Sequence, residues 1–513
     1  MEIRSPLASK GRDTASLLLS DRKRSDLFLF LSLFSGMLCL VFLLVAGGIS
    51  IGFGLILAIP VILLIVALIV RWPMFGFYLI AVSALAIDSD PVVVKSITIN
   101  FYLYYWPTGL TGFIDRPIGL LMLFILLVSI CHNLLKRQGV LHGGKLLLPF
   151  LFFMLCVAYG VAYGLATHGD FKIIVLEIRP FEYLFLSYLL AYNLIRHRDQ
   201  IRHFFWLVIV CAGVRTLYGL FIVVFVFHGH LAAQHGILPH EESFFFVALI
   251  LLVILFSLHY RYRPQFYAAL CILPFLLVVL VANNRRADYL AFLVGAAVAL
   301  FLVFVVKPHT RKRLIAILVV CAILGGGYVA LFSNMSGAFA EPARGIVSIF
   351  KPDPSSSDYL SNLYRTNEII DLKYTVMQSP LIGYGFGKQF LQPIPLGDLG
   401  AGNVDLNGNP FQYIPHNNIY WIWMRLGAIG YFAFWFLIGA VIVRGCQIMR
   451  RLKDPYLQLV SIYIIGVIFI EIMVAYADYQ LYIFRNVIYV GLLFGILMKL
   501  PALDTKEVNP TDG

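Results

Sequence analysis

QFYAALCILPFLLVVLVANNRRADYLAFLVGAAVALFLVFVV, residues 265–306, decides the fold. It holds two apolar runs, each close to the roughly 20 residues that an α-helix needs to cross a bilayer's hydrocarbon core. Only Asn283-Asn-Arg-Arg-Ala-Asp288 separates them, so the two runs fold back on each other as antiparallel helices. Working outward, the pattern repeats, and candidate helices fall at 27–45, 51–70, 73–88, 117–131, 146–166, 179–195, 204–228, 243–260, 265–283, 288–306, 314–332, 418–443, 456–478 and 482–500. The 513 residues are 60% apolar and 13% charged, where a soluble domain is about 45–50% apolar and about 25% charged. The expected fold is therefore an all-α polytopic membrane protein of about 12–14 transmembrane helices with one long loop on the outer side. The expected organisation is a cytoplasmic tail at 1–26, eleven helices over 27–332, the loop at 333–417 containing short helices, three helices over 418–500, and a second tail at 501–513.

The formal charge of +12 could suggest nucleic acid, but its distribution excludes that partner. Alternate connections carry Lys136, Arg137 and Lys145; Arg196, Arg198 and Arg202; Arg261 and Arg263; Lys307, Arg311, Lys312 and Arg313; Arg444, Arg450, Arg451 and Lys453. With Arg4, Lys10, Arg12, Arg22, Lys23, Arg24, Arg71, Lys499 and Lys506, these make 25 of the 39 basic residues on one side. The positive-inside rule makes that side cytoplasmic and puts both termini there. The first 26 residues lead into an uninterrupted span without a small-residue cleavage site, which reads as a retained signal-anchor. Seven cysteines lie in spans or at their cytoplasmic ends, in no disulfide or CxxC arrangement.

On the outer side the longest connection is 333–417 and the next is about 89–116, with the aromatic run Phe101–Pro107. Within the first, 361–378 predicts an amphipathic helix capped by Ser361 and stopped before Pro380. Gly383-Tyr-Gly-Phe-Gly387 follows; with no preceding strand and no GK[ST] ending it is a flexible surface turn, not a nucleotide loop. Arg285 and Arg286 break the charge rule by standing on the outer side. They either snorkel to lipid headgroups or form a fork for a phosphate or pyrophosphate, with Arg365 as a third arm. His416, beside Asn417 and Asn418 where the loop re-enters, is the best general-base candidate, histidine being the side chain that ordinarily titrates near neutrality. His228, His230, His235, His240, Glu241 and Glu242 cluster, but their spacing fits no standard helical zinc motif, so no metal site is assigned. Arg425 and Glu471, at similar depth in neighbouring spans, are expected to pair with each other. Arg215 has no partner in its own helix and is kept as a possible donor-phosphate ligand, as are Arg179 and Asn417 in support. Glu177 and Glu182 are ambiguous between packing and function.

The pattern resembles the O-antigen ligase and polymerase superfamily of bacterial envelope glycosyltransferases. The resemblance rests on Arg285-Arg286-Ala-Asp-Tyr-Leu-Ala291, the Arg-led loop helix ending in Ser379-Pro-Leu-Ile-Gly-Tyr-Gly-Phe-Gly387, and His416-Asn-Asn-Ile-Tyr-Trp421 followed by Leu426-Gly-Ala-Ile-Gly430. It covers about 280–440, with weaker echoes in Glu177-Ile-Arg-Pro180 and Gly236–Glu241. An acidic residue is usual in the family where Arg425 stands.

The resemblance implies a bacterial inner-membrane enzyme with its active site facing the periplasm. It would take a glycan from an undecaprenyl-pyrophosphate donor and join it to a hydroxyl of a glycan, lipid A core or lipid-linked acceptor, in lipopolysaccharide or polysaccharide biosynthesis. His416 matches the family's loop histidine, Arg365 its loop arginine, and Arg286 or Arg285 its inter-helix arginine. The expected reaction is a cofactor-free, metal-independent inverting transfer. The single dominant loop leans toward a ligase over a polymerase. A lipid-linked glycan flippase is the alternative from another class, and it would call for broken helices in matched halves.

Overall fold

The computed structural model describes residues 53–88, 103–104, 115–135, 137, 139–229, 236–259, 263–335, 340–351, 357–396 and 412–504. The candidate helix 27–45, both tails, most of the aromatic run 101–107, His230 and His235 lie outside the described residues. Two units are distinguished, Met1–Phe75 and Gly76–Gly513. In the first, α1 is Phe53–Arg71, and α2, Pro73–Ala86, begins there and continues into the second. The second unit then holds α3 Pro117–Leu135, α4 Leu147–Ala166, α5 Phe171–Leu194, α6 Arg198–Phe221, α7 His240–His259, α8 Arg263–Asn283 and α9 Arg286–Val306. It continues with α10 Arg311–Phe332, α11 Glu341–Phe350, α12 Ser357–Gln378, α13 Asn418–Arg451, α14 Pro455–Ala477 and α15 Phe484–Asp504. The described residues form no strand.

Among the described residues, ten helices are long and apolar enough to cross a membrane. The expected span at 179–195 instead starts at Phe171, because Asp170 caps the helix by accepting from the backbone N–H groups of Lys172 and Ile173. That start draws Lys172, Glu177, Arg179 and Glu182 into α5 and makes it too charged to count among the ten. The expected span at 73–88 is only the 14-residue α2. The loop helix begins at Ser357, so Ser361 lies a turn inside α12 and is not its cap.

Connections expected to share a side do meet. At one end the Asp170 N–H donates to Gly387 O (2.9 Å), and the loop before α13 reaches the α14–α15 turn. At the other, Arg198 pairs with Asp454, the Gln265 amide donates to Arg202 O (2.9 Å), and the Lys453 N–H donates to Asp504 (2.9 Å).

The closest helix pair in the second unit is α5 with α15. Lipid is as apolar as leucine, so close backbone approach through small residues is what brings helices together. A Cβ on Gly491 would fall 2.5 Å from Leu184 O, and one on Gly495 would fall 2.6 Å from Tyr188 O. Gly495→Leu should therefore lower the thermal midpoint of the detergent-purified protein, overpacking of this kind costing about 1–3 kcal/mol. Gly439→Leu, where a Cβ meets nothing within 4 Å, should leave the midpoint unchanged. Equal midpoints for both variants would contradict the α5–α15 contact.

Candidate functional site

The scaffold begins with a break in α13. Gly427 sits at φ 65° and ψ −172° between helical neighbours, and a Cβ there would lie 2.2 Å from Leu381 O, so only glycine fits. The break releases the carbonyls of Met424 and Arg425, which accept from Tyr384 N (2.6 Å) and Gly385 N (3.2 Å), while Ala428 N donates to Pro380 O (2.9 Å). Gly383, Gly385 and Gly387 all adopt positive φ to follow this path, and Phe386 between them is fully buried. The Gly-Tyr-Gly-Phe-Gly run is thus not a surface turn. It is seated in the broken helix by backbone hydrogen bonds.

One carboxylate holds this junction to α5. Glu177 Oε1 accepts from Arg425 Nε (2.6 Å) and Trp421 Nε1 (3.1 Å), and Oε2 accepts from Gly387 N (2.6 Å). Arg425 also donates from Nη1 to Gly385 O (3.1 Å) and from Nη2 to Tyr413 O (2.8 Å). Both side chains of the pair are at 0% exposure. The expected Arg425–Glu471 pair is therefore corrected: Glu471 instead accepts from Asn486 Nδ2 (3.3 Å). Equal depth in two spans says nothing about which way each side chain faces around its helix.

Tyr413, so anchored, leads into the re-entry. Asn417 caps α13 by accepting from Tyr420 N (3.0 Å), and Asn418 Oδ1 accepts from Leu481 N (2.8 Å). His416 between them is gripped twice by Glu368 of α12: its backbone N–H donates to Oε2 (3.0 Å) and its ring Nδ1 lies 3.1 Å from Oε1. A carboxylate at Nδ1 keeps the proton on that nitrogen and makes Nε2 the basic one. The rings of Tyr364 and Tyr479 stand edge-on to the imidazole, at 5.6 and 5.8 Å between centroids. Tyr364, Arg365 and Glu368 share one turn of α12, so the loop arginine arrives with the histidine's partner.

The inter-helix turn comes to the same place. Asn284 has positive φ, and buried Asn283 accepts from Leu238 N (2.9 Å) and donates to Ser243 Oγ (2.8 Å), fixing the turn against the start of α7. There His240 Nδ1 lies 3.0 Å from Asp478 Oδ2, and Tyr479 N donates to Asp478 Oδ1 (2.9 Å). Burial alone would raise the Asp478 carboxyl, but His240, Arg365 and His416 together hold it well below the usual carboxylate range. Burial also pushes the Arg285 guanidinium down, against the pull of Asp478, Tyr479 and Asp288. Arg285, Arg365, His240 and His416 thus converge electrostatically around one carboxylate. Arg286 faces α11, its Nη1 donating to Ser348 Oγ (2.8 Å).

The remaining candidates go elsewhere. Arg215 pairs with Asp88 (2.6 Å) and Glu242 (2.8 Å) at 3% side-chain exposure. Glu242 also pairs with Arg485, which reaches Glu241 (3.3 Å) and donates to Ala84 O (2.8 Å) and Leu85 O (3.1 Å). This sealed network joins the end of α2 to α6, α7 and α15, so Arg215 is corrected from phosphate ligand to structural ion. Arg179 stands 3.8 Å from Asp115, which accepts from the Tyr183 hydroxyl (2.7 Å). Of the histidine-rich stretch, Glu241 and Glu242 belong to the arginine network and His240 pairs with Asp478.

Sequence reasoning missed Glu368, Asp478 and Tyr479. Arg365 and Glu368 three apart in a helix were a usable sign of a shared face. Asp478-Tyr-Gln480, in a connection too short to be a linker, was another.

Removing one partner of a buried ion pair strands the other charge, a loss of about 3–5 kcal/mol. Arg425→Met should accordingly lower the thermal midpoint and expose the 380–387 segment to limited proteolysis. Glu471→Gln, which leaves the Glu177–Arg425 pair intact, should not expose that segment; cleavage there in both variants would refute the pairing described.

Residues 269–435 match the family model described as O-antigen ligase. The match runs from α8 into α13 and takes in Arg285, Arg286, Arg365, Glu368 and His416. No curated protein matches the chain. Over residues 269–435 the chain is thus similar to the O-antigen ligase family, which supports the O-antigen ligase and polymerase superfamily.

Proposed function

We propose that this multi-spanning enzyme is a glycosyltransferase of the bacterial inner membrane. It moves a glycan from an undecaprenyl-pyrophosphate donor to an acceptor hydroxyl at the periplasmic face, in the manner of an O-antigen ligase. The observation that carries this reading is His416, held by Glu368 through both its backbone and its ring, with Arg365 and Arg285 both coupled electrostatically to the neighbouring carboxylate of Asp478, on which His416 also acts. The charge distribution supports the sidedness, because the site gathers connections on the side opposite the basic ones.

Glycosyl transfer from a pyrophosphate needs a base for the incoming hydroxyl and neutralisation of the departing charge. With Nδ1 directed to Glu368, Nε2 of His416 accepts the acceptor's proton as its oxygen attacks the anomeric carbon. Glu368 is a positioning residue that fixes the tautomer and stabilises the imidazolium once formed. Arg285 and Arg365 bind the pyrophosphate and stabilise the charge that grows on it as the bond breaks, as preorganised cations do in phosphate chemistry. Arg286, next to Arg285 in the chain, is tied to α11 through Ser348. In-line attack inverts the anomeric configuration. The acceptor is a lipid A core or another lipid-linked or free glycan.

The test is reconstitution of the full chain with labelled lipid-linked glycan from the source membranes and candidate acceptors, with EDTA present. His416→Ala should lower transfer by about 10²–10⁴-fold, the range of a lost general base, with the thermal midpoint unchanged. Arg365→Lys should raise the KM for donor, since an ammonium cannot reproduce a planar fork. Undiminished transfer by the His416 variant would sink the assignment, and movement of label across vesicles without a covalent product would favour a flippase.

A further inference from the structure

His240 and Asp478 repeat, on the other contact of the Tyr479 ring, the arrangement of His416 and Glu368. In each pair a buried carboxylate faces Nδ1 of an imidazole, at 3.0 Å in one and 3.1 Å in the other. In each the carboxylate also accepts a backbone N–H, from Tyr479 for Asp478 and from His416 itself for Glu368. The Tyr479 ring is shared, its centroid 5.8 Å from each imidazole, so the two histidines lie within about 12 Å of each other across it. Inverting transfer uses an acid and a base on opposite sides of the anomeric centre, separated by room for the attacking group. His240 keeps 32% of its side-chain surface exposed, although Asp478 beneath it is buried.

Resting on the base role proposed for His416, we infer that His240, oriented by Asp478, is a second catalytic histidine that protonates the departing pyrophosphate. Several elements bring charge to His240. Glu241 and Glu242, next to it on α7, are engaged with Arg485 and Arg215. Asp478 from the α14–α15 turn meets its Nδ1, and Arg285 from the inter-helix turn and Arg365 from α12 are coupled to that carboxylate. Asp288 on α9 acts on Arg285 and Asp478, and His416 acts on Asp478. A pyrophosphate bound by the two arginines sets its departing oxygen beside His240.

The step balances. The acceptor oxygen bonds to the anomeric carbon and its proton passes to His416 Nε2. The bond from that carbon to the phosphate oxygen breaks with its electron pair on the oxygen, which takes the proton from His240 Nε2. Solvent then restores both histidines.

The experiment is the pH profile of transfer by the full-length protein in lipid nanodiscs, with the polyprenyl-pyrophosphate glycan pool extracted from the source membranes as donor. Wild type should give a bell. His240→Gln should lower kcat by about 10²-fold, the lower end for a lost general acid, and remove the basic limb while keeping the acidic one. Asp478→Asn should shift the basic limb to lower pH without abolishing it, and it carries the test if the His240 variant does not fold. A basic limb that both variants leave in place overturns the inference. If His240→Gln behaves as wild type while His416→Ala is inactive, the second dyad falls and the base stands; if His416→Ala stays active, the base assignment itself has failed.

Discussion

The structure around the site depends on a single buried ion pair, Glu177 with Arg425. Two charges at zero exposure carry a desolvation cost of several kcal/mol each, which their mutual attraction offsets only when the remaining hydrogen-bonding groups are also satisfied. Here the satisfying groups are the architecture itself: Gly387 N, Trp421 Nε1, Gly385 O and Tyr413 O. Three pieces of chain remote in sequence are therefore obliged to meet at one point, namely α5, the glycine-rich segment and the re-entry before α13. Tyr413 lies three residues ahead of His416, so the position of that imidazole is set in part through the Glu177–Arg425 pair.

Around His416 the opposite economy holds. The charged groups there share Asp478 as a common counter-charge. The Arg215–Arg485 network shows the contrast. Its arginines are closed off by Asp88, Glu241 and Glu242 and by backbone carbonyls, and nothing of their charge is left to offer a ligand. An intramembrane arginine is informative about function only once its partners are known.

The helical membrane fold was legible because apolar run length is a one-dimensional property, and so was the grouping of alternate connections by their basic residues. Arg285, Arg365 and His416 stood out as candidates because each interrupts a pattern: arginines on the wrong side, a helix in a loop, a histidine at a boundary. What escaped was azimuth. Arg425 and Glu471 share a depth yet face different helices. Glu177 was visible but its meaning was not, since its partner lies 248 positions away. The Gly-Tyr-Gly-Phe-Gly run read as a free turn because glycines that relax a chain and glycines that admit a neighbouring backbone look identical in sequence. His240 was visible only as one of a crowd of histidines, since its partner Asp478 lies 238 positions away.

The break at Gly427 divides α13 into a short piece tied to the site and a longer piece running on to Arg451. A continuous helix would transmit every tilt or shift of its membrane-embedded length directly to the residue at its end. Here the upper piece is registered to α5 and the glycine-rich segment, while the lower piece packs into the bundle through Ala433, Phe434, Leu437 and Val441. The glycine thus works as a joint at which the two pieces of one helix take separate partners.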